Sequence, residues 1–190
     1  YAKDKGIDIT STPWDLVSVS FLKGIDPPFI KIASADMCNK FLQKAIADCG
    51  FPMVISTGMS TEEQIIYTVD YLLGLGAKFA LLHCNSTYPV AAGDVNLNYI
   101  SKLKEIHPIV GYSGHERGIG ISVAAVAKGA MIIERHITLN KQQEGPDHQA
   151  SLLPDEFAQL VSSIRQVESS LGSSEPREIS QGEAINHLSL

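Results

Sequence analysis

The chain has 190 residues, 44% hydrophobic and 19% charged, with a net charge of −6. That is an ordinary globular composition, large enough for one sizeable core. There is no basic block, so nucleic acid is not an expected partner, and no apolar run of about 18 residues, so no membrane-spanning helix is expected.

The opening residues, Tyr1-Ala2-Lys3-Asp4-Lys5, have neither an initiator Met nor a secretory apolar region. They read like the tail of a helix entered midway, so the stretch is expected to be part of a longer protein. Short apolar runs then alternate with longer amphipathic ones. A strand is predicted over Ile7 to Thr10 and a helix over Trp14 to Leu22. The strand Phe29 to Ala33 precedes a helix over Lys40 to Asp48, whose apolar face is read as Phe41, Leu42, Ala45 and Ile46. The strand Met53 to Ser56 precedes a helix over Thr61 to Leu75, headed by a capping box Ser60…Glu63. Strand Phe79 to Leu82 leads to helix Leu97 to Ile106, and strand Ile109 to Gly111 to helix Gly120 to Lys128. Strand Met131 to Glu134 and helix Asp155 to Leu171 close the series, the last helix opening on Leu153-Pro154. Residues 1–172 thus form one domain, and 173–190 read as a polar linker leaving it.

About six strand–helix units in series imply parallel strands with helical crossovers. A doubly wound sheet and a (β/α)8 barrel both fit. No Gly-rich phosphate-binding turn follows a strand, which favours the barrel, although a full barrel needs about two more units. Cys38, Cys49 and Cys84 are odd in number and form no CxxC, which reads as free thiols in a reducing cytoplasm.

The polar residues collect at the C-terminal ends of the predicted strands, the face on which parallel α/β folds build their sites. Lys31 lies within Phe29-Ile30-Lys31-Ile32-Ala33, so alternation turns Ile30 and Ile32 to the helices and Lys31 inward. A buried ammonium needs an anion. A structural ion pair with Asp36 or Glu134 competes with a bound phosphate or carboxylate, for which Thr12, Ser34, Ser56 and Ser113 supply hydroxyls. His115 and His136 end consecutive strands and could converge on a divalent metal, though hydrogen-bonded core histidines would look the same. His83 reads as a packing residue, His107 as a surface helix end, and His148 is ambiguous. In Glu134-Arg135-His136, alternation puts the acid and the imidazole on the mouth side. Arg135 falls on the helix side, where a structural ion pair is expected.

Taken together, Thr10-Ser11-Thr12-Pro13, Phe29-Ile30-Lys31-Ile32-Ala33-Ser34, Ile55-Ser56-Thr57-Gly58-Met59, Leu82-His83-Cys84 through Tyr88-Pro89, Gly111-Tyr112-Ser113-Gly114-His115, Glu134-Arg135-His136 and Gly145-Pro146-Asp147 resemble the sialic acid synthase family. That family includes the N-acetylneuraminate, legionaminate, pseudaminate and spore-coat-polysaccharide synthases. The resemblance implies a (β/α)8 TIM-type barrel, here lacking its first two units and a C-terminal antifreeze-like domain. It implies a transferase that condenses phosphoenolpyruvate with the open-chain form of an N-acylated hexosamine. It also implies a divalent metal, Mn2+ with Mg2+ or Co2+ as substitutes, and a domain-swapped homodimer in the full-length protein. By the same resemblance His115 and His136 would bind the metal. Lys31, Thr12, Ser34, Ser56 and Ser113 would hold phosphoenolpyruvate, with Asp36 among the substrate-binding residues. Ser86, Tyr88 and Asp147 would meet the amino sugar. Glu134 and Lys31 would be catalytic. The alternatives are another phosphoenolpyruvate-using barrel, of the 3-deoxy-heptulosonate phosphate synthase type, or an inactive sugar-binding fragment. With the missing units, the isolated stretch is expected to be inactive.

Overall fold

The computed structural model describes residues 1–188. Five parallel strands form one sheet in sequential order: β1 (Ile30–Ile32), β2 (Met53–Ser56), β3 (Phe79–Cys84), β4 (Val110–Gly114) and β5 (Ile133–Arg135). One helix, α1 (Leu16–Ile25), precedes the sheet, and four link its strands: α2 (Lys40–Asp48), α3 (Glu62–Gly74), α4 (Tyr99–Ile106) and α5 (Gly120–Ala127). Beyond β5 come α6 (Pro154–Leu171) and a short α7 (Gln181–His187). The sheet curls into a half-barrel with helices packed outside it.

Sequential order follows from the connections. Each parallel strand returns through a helix to the adjacent position. The helix starts are locally encoded. Asp15 accepts the Ser18 N–H at 2.7 Å at the head of α1, and Asn39 accepts the Leu42 N–H at 3.2 Å at the head of α2. The capping box of α3 is Thr61 with Gln64, one residue later than Ser60…Glu63. Both pairs fit the pattern, and the extended backbone of Thr61 decides between them. At the head of α6 the Glu156 carboxylate accepts the Leu153 N–H at 2.8 Å.

Ile30 and Ile32 of β1 face the helices and are fully buried, as are Ile55 of β2, Leu81 of β3 and Val110 of β4. Each such side chain contributes roughly 1.5–3 kcal/mol. The core therefore lies between the sheet and its outer helices, and the inner face is left for Lys31, Ser56, Cys84, Ser113 and Glu134. Register aligns the last three: Cys84 pairs with Ser113, and Ser113 with Glu134.

Several expectations are corrected. Ile7 to Thr10 is not a strand, so among the described residues there are five strands rather than six. The segment touches β1 through one long backbone bond, Lys31 N–H to Ser11 O at 3.4 Å, and a side-chain bond from Thr10 to the Phe29 carbonyl. That is too little for a ladder, and Ile7 and Ile9 stay exposed. Phe41, placed on the buried face of α2, is 86% exposed; Leu42 and Ile46 carry that face. His107 is buried, with its ring 4.2 Å from that of Phe79, so it closes the bottom of the core. The polar stretch read as a linker contains α7, whose start has its own capping box, Ser180 with Glu183. Residues 189 and 190 of that stretch lie outside the described residues.

Candidate active site

The concave face holds a cleft of about 1230 Å³. Ten of the twelve residues singled out in the sequence line it: Thr12, Lys31, Ser34, Ser56, Ser86, Tyr88, Ser113, His115, Glu134 and His136. Asp36 and Asp147 do not. Asp36 turns to Asn39, whose side-chain amide it accepts at 2.8 Å, in the short 3-10 turn Ser34–Asp36. Asp147 stands off the rim, with its carboxylate 3.9 Å from the Nδ1 of His136.

Lys31 is the hinge of one half. Its ammonium donates to the Ile32 carbonyl at 2.8 Å and to Ser56 Oγ at 2.9 Å. Its nearest anion is Glu134, at 3.7 Å, too long for a good hydrogen bond. An ammonium has three donors, so one remains for a ligand. Burial holds the Lys31 pKa below the usual lysine value, and the charge of Glu134 only partly offsets this. Glu134 is steered by Ser113, whose hydroxyl donates to its carboxylate at 2.9 Å.

The other half is built around two imidazoles. The rings of His115 and His136 are 5.2 Å apart, edge to face, and Tyr88 lies 4.0 Å from His115 and 5.7 Å from His136. The loop carrying Tyr88 is tied down by the Val90 N–H, which donates to the His115 carbonyl at 3.1 Å. His115 Nδ1 lies 2.7 Å from the Asn85 carbonyl, which can only accept, so Nδ1 carries the proton and Nε2 has the lone pair. A backbone carbonyl holding one ring nitrogen is the arrangement that orients a metal-ligating histidine. Among the described residues no cluster of three or more His, Cys, Asp or Glu converges for a metal. The two imidazoles therefore fit a divalent ion as part of a ligand set, the remainder being water or substrate.

Cys84 is the residue that sequence reasoning passed over. It lies on the floor between the halves, accepting from Ser34 Oγ at 3.6 Å and 3.9 Å from His115 Nδ1. Burial pushes its thiol up, but contacts with His115 and Ser34 outweigh that and leave it below its ordinary value. Burial likewise opposes charge on His115, but Cys84 and the Asn85 carbonyl outweigh it and raise the ring's pKa. His136 is lowered, by burial first and then by His115. The alternation of β3 was the available signal, since His83 faces out, with Nε2 2.6 Å from the Val95 carbonyl, and its neighbour must face in.

Arg135 points to the helix side, as expected, and pairs with Glu116 at 2.9 Å. His148 is engaged by Thr138, with Nδ1 2.8 Å from its hydroxyl.

Residues 1–176 match the sequence profile of the NeuB family. The chain belongs to the NeuB family. N-acetylneuraminate-9-phosphate synthase of Homo sapiens is 47% identical over 176 residues, covering 91% of this chain and 49% of that protein. N,N'-diacetyllegionaminic acid synthase of Campylobacter jejuni is 42% identical over 176 residues, covering 90% and 53%. The crystal structure of a sialic acid synthetase from Leptospira borgpetersenii in complex with citrate superposes with a TM-score of 0.90 at 35% identity, over 99% of this chain and 66% of that one. This NeuB chain spans about half the length of the curated relatives it matches. A DAHP synthase from Thermotoga maritima has a TM-score of 0.77 at 19% identity, a likeness of fold alone. No helix among the described residues is long and apolar enough to cross a membrane.

Proposed function

We propose that this chain is the larger part of the catalytic barrel of a nonulosonic acid synthase. The full protein would condense phosphoenolpyruvate with the open-chain form of an N-acylated hexosamine, releasing phosphate. The observation that carries this is the pairing, in one cleft, of a lysine with a donor to spare and two imidazoles with a bare ring nitrogen between them. The first suits a phosphate or carboxylate, the second a carbonyl activated by a metal. The family membership and the Leptospira relative support the same reading.

Thr12, Lys31, Ser34, Ser56 and Ser113 bind the anionic groups of phosphoenolpyruvate, as fixed donors aimed at its charge. Ser86, Tyr88 and Asp147 border the sugar. His115 and His136 would hold the divalent metal, Mn2+ in this reading, which when bound supplies Lewis-acid polarisation of the aldehyde oxygen. Carbon 3 of phosphoenolpyruvate attacks the aldehyde carbon, and a cation develops at carbon 2. Water adds there, and the resulting adduct loses phosphate by C–O cleavage. Glu134, 3.7 Å from Lys31, would take the proton from that water and steady the cation.

The remaining parts of the reading are a barrel completed by units outside this chain, an antifreeze-like domain exchanged in a homodimer, and a cytoplasmic enzyme. Three free thiols suit that compartment. The test uses the full-length protein with phosphoenolpyruvate, Mn2+ and N-acetylmannosamine, its 6-phosphate or related hexosamines, following phosphate release. Release that needs both sugar and metal is expected. No release with any amino sugar would sink the proposal.

A further inference from the structure

Gly58 follows β2 and lies between two hydroxyls from the neighbouring strands, Ser34 after β1 and Ser86 after β3. A Cβ built on Gly58 would lie 2.7 Å from Ser34 Oγ and closer still to Ser86 Oγ. A non-bonded Cβ essentially never sits that near a hydroxyl oxygen, so both oxygens occupy space that any other residue would fill. The backbone of Gly58 is not in the left-handed region, so conformational freedom is not why a glycine stands here. Its N–H donates to Ser34 Oγ at 3.1 Å, and that hydroxyl in turn donates to Cys84 Sγ at 3.6 Å. Among the described residues Ser86 Oγ has no hydrogen-bond partner, and it lines the cleft. One of the two oxygens is therefore pinned by Gly58 while the other leans over it unengaged.

We propose that Gly58 is a positioning residue that fixes the separation of the phosphoenolpyruvate side of the cleft, marked by Ser34, from the sugar side, marked by Ser86. This rests on the reading given under Proposed function. Two substrates that must form a carbon–carbon bond have to approach within van der Waals contact, so the spacing of the groups that hold them acts on rate more than on affinity. A methyl group at position 58 turns both serine hydroxyls aside. Short side chains can rotate away, so the fold survives while the spacing is lost.

The test is Gly58→Ala in the full-length protein, with thermal melting, phosphoenolpyruvate affinity by calorimetry and steady-state kinetics. Melting like that of wild type is expected, with kcat falling about 10²-fold and both affinities falling about tenfold or less. Wild-type kcat in a folded Gly58→Ala overturns the inference. So does a loss confined to the KM for either substrate. Ser86→Gly supplies the control, because it removes the closer of the two clashes. Adding Gly58→Ala to Ser86→Gly should leave the sugar KM where Ser86→Gly alone put it, while the phosphoenolpyruvate loss through Ser34 persists. Additive effects on the sugar KM overturn the inference. If Gly58→Ala alone does not fold, the double variant carries the test, and phosphoenolpyruvate affinity equal to that of Ser86→Gly overturns it. A wild-type protein that binds no phosphoenolpyruvate defeats the functional reading itself, and the inference with it.

Discussion

Adjacent residues of β5 serve two ion pairs of opposite character. Arg135 and Glu116 meet at 2.9 Å with side chains 0% and 2% exposed. Lys31 and Glu134 stand 3.7 Å apart, 13% and 37% exposed. Behind the sheet, the Arg135 guanidinium reaches the carbonyls of Glu116, Gly118 and Ala150 and the Ser122 hydroxyl, and Glu116 also accepts from Ser122 and Tyr112. Among the described residues, the Nε of Arg135 is the one buried atom of this cluster without a partner. Gly114 makes room for this cluster, since a Cβ would lie 2.5 Å from the Glu116 carboxylate and 2.9 Å from Arg135. In the cleft the charges are held apart, and a donor of Lys31 is left over. A closed network rigidifies, whereas an incomplete one is costly unless a ligand completes it.

Opening each pair tests that contrast. Arg135→Met strands the Glu116 carboxylate among buried groups and should lower stability by about 3–5 kcal/mol. Urea denaturation checks this. Changing Glu116→Leu in the same chain should recover part of the loss, and an unchanged midpoint in Arg135→Met would erase the distinction between the pairs.

Lys31→Met should behave in the opposite way. It removes a charge whose burial is only partly compensated, so stability should hold or rise. Phosphoenolpyruvate affinity should fall by about 1.5–3 kcal/mol, the range for a hydrogen bond to a charged group. Calorimetry on the variant measures it. A destabilised Lys31→Met with intact affinity would make Lys31 a structural residue like Arg135.

Ser113→Ala frees one oxygen of Glu134 and should cost about 1 kcal/mol of transition-state stabilisation, read as a several-fold drop in kcat. Stability should change less, because Glu134 is partly open to water. Equal losses in both would place Glu134 on the structural side.

The same contrast explains what the sequence revealed. Alternation in β1 and β5 separated Lys31, Glu134 and His136 from Ile30, Ile32 and Arg135, because side-chain direction in a strand is fixed by position alone. Strand-end hydroxyls were legible for the same reason. Ile7 to Thr10 was not, since its apolar pattern says nothing of whether a partner ladder exists. Asp36 looked like a cleft residue from its place after a strand, but a 3-10 turn redirected it to Asn39. The Arg135 partner could not be chosen from sequence either, as Glu116 reaches it only once the loop after β4 has folded back.

The smallest effect lies in the imidazole pair, and its sign can be worked out. His115 is raised above its unfolded value near 6.5 and His136 is lowered below it. The contribution of His115 to stability is fully present below about pH 6.5 and is lost as pH rises through its folded value. His136 behaves in reverse: the unfolded chain takes the proton first, so stability is lost as pH falls from about 6.5 through its folded value. The two windows lie on opposite sides of about pH 6.5, so the stability of the metal-free protein should pass through a maximum near that pH. The separate titrations should still be visible by NMR, His115 above and His136 below. In His115→Gln the His136 ring loses its charged neighbour but remains buried, so its pKa should rise part of the way. The loss of stability above about pH 6.5 should then disappear, while a smaller loss on acidification below it remains. A common pKa for the two rings in the wild type, or a slope in His115→Gln that runs the other way, would mean the imidazoles do not sense each other across 5.2 Å. The case for a shared ligand between them would then lose its geometric basis.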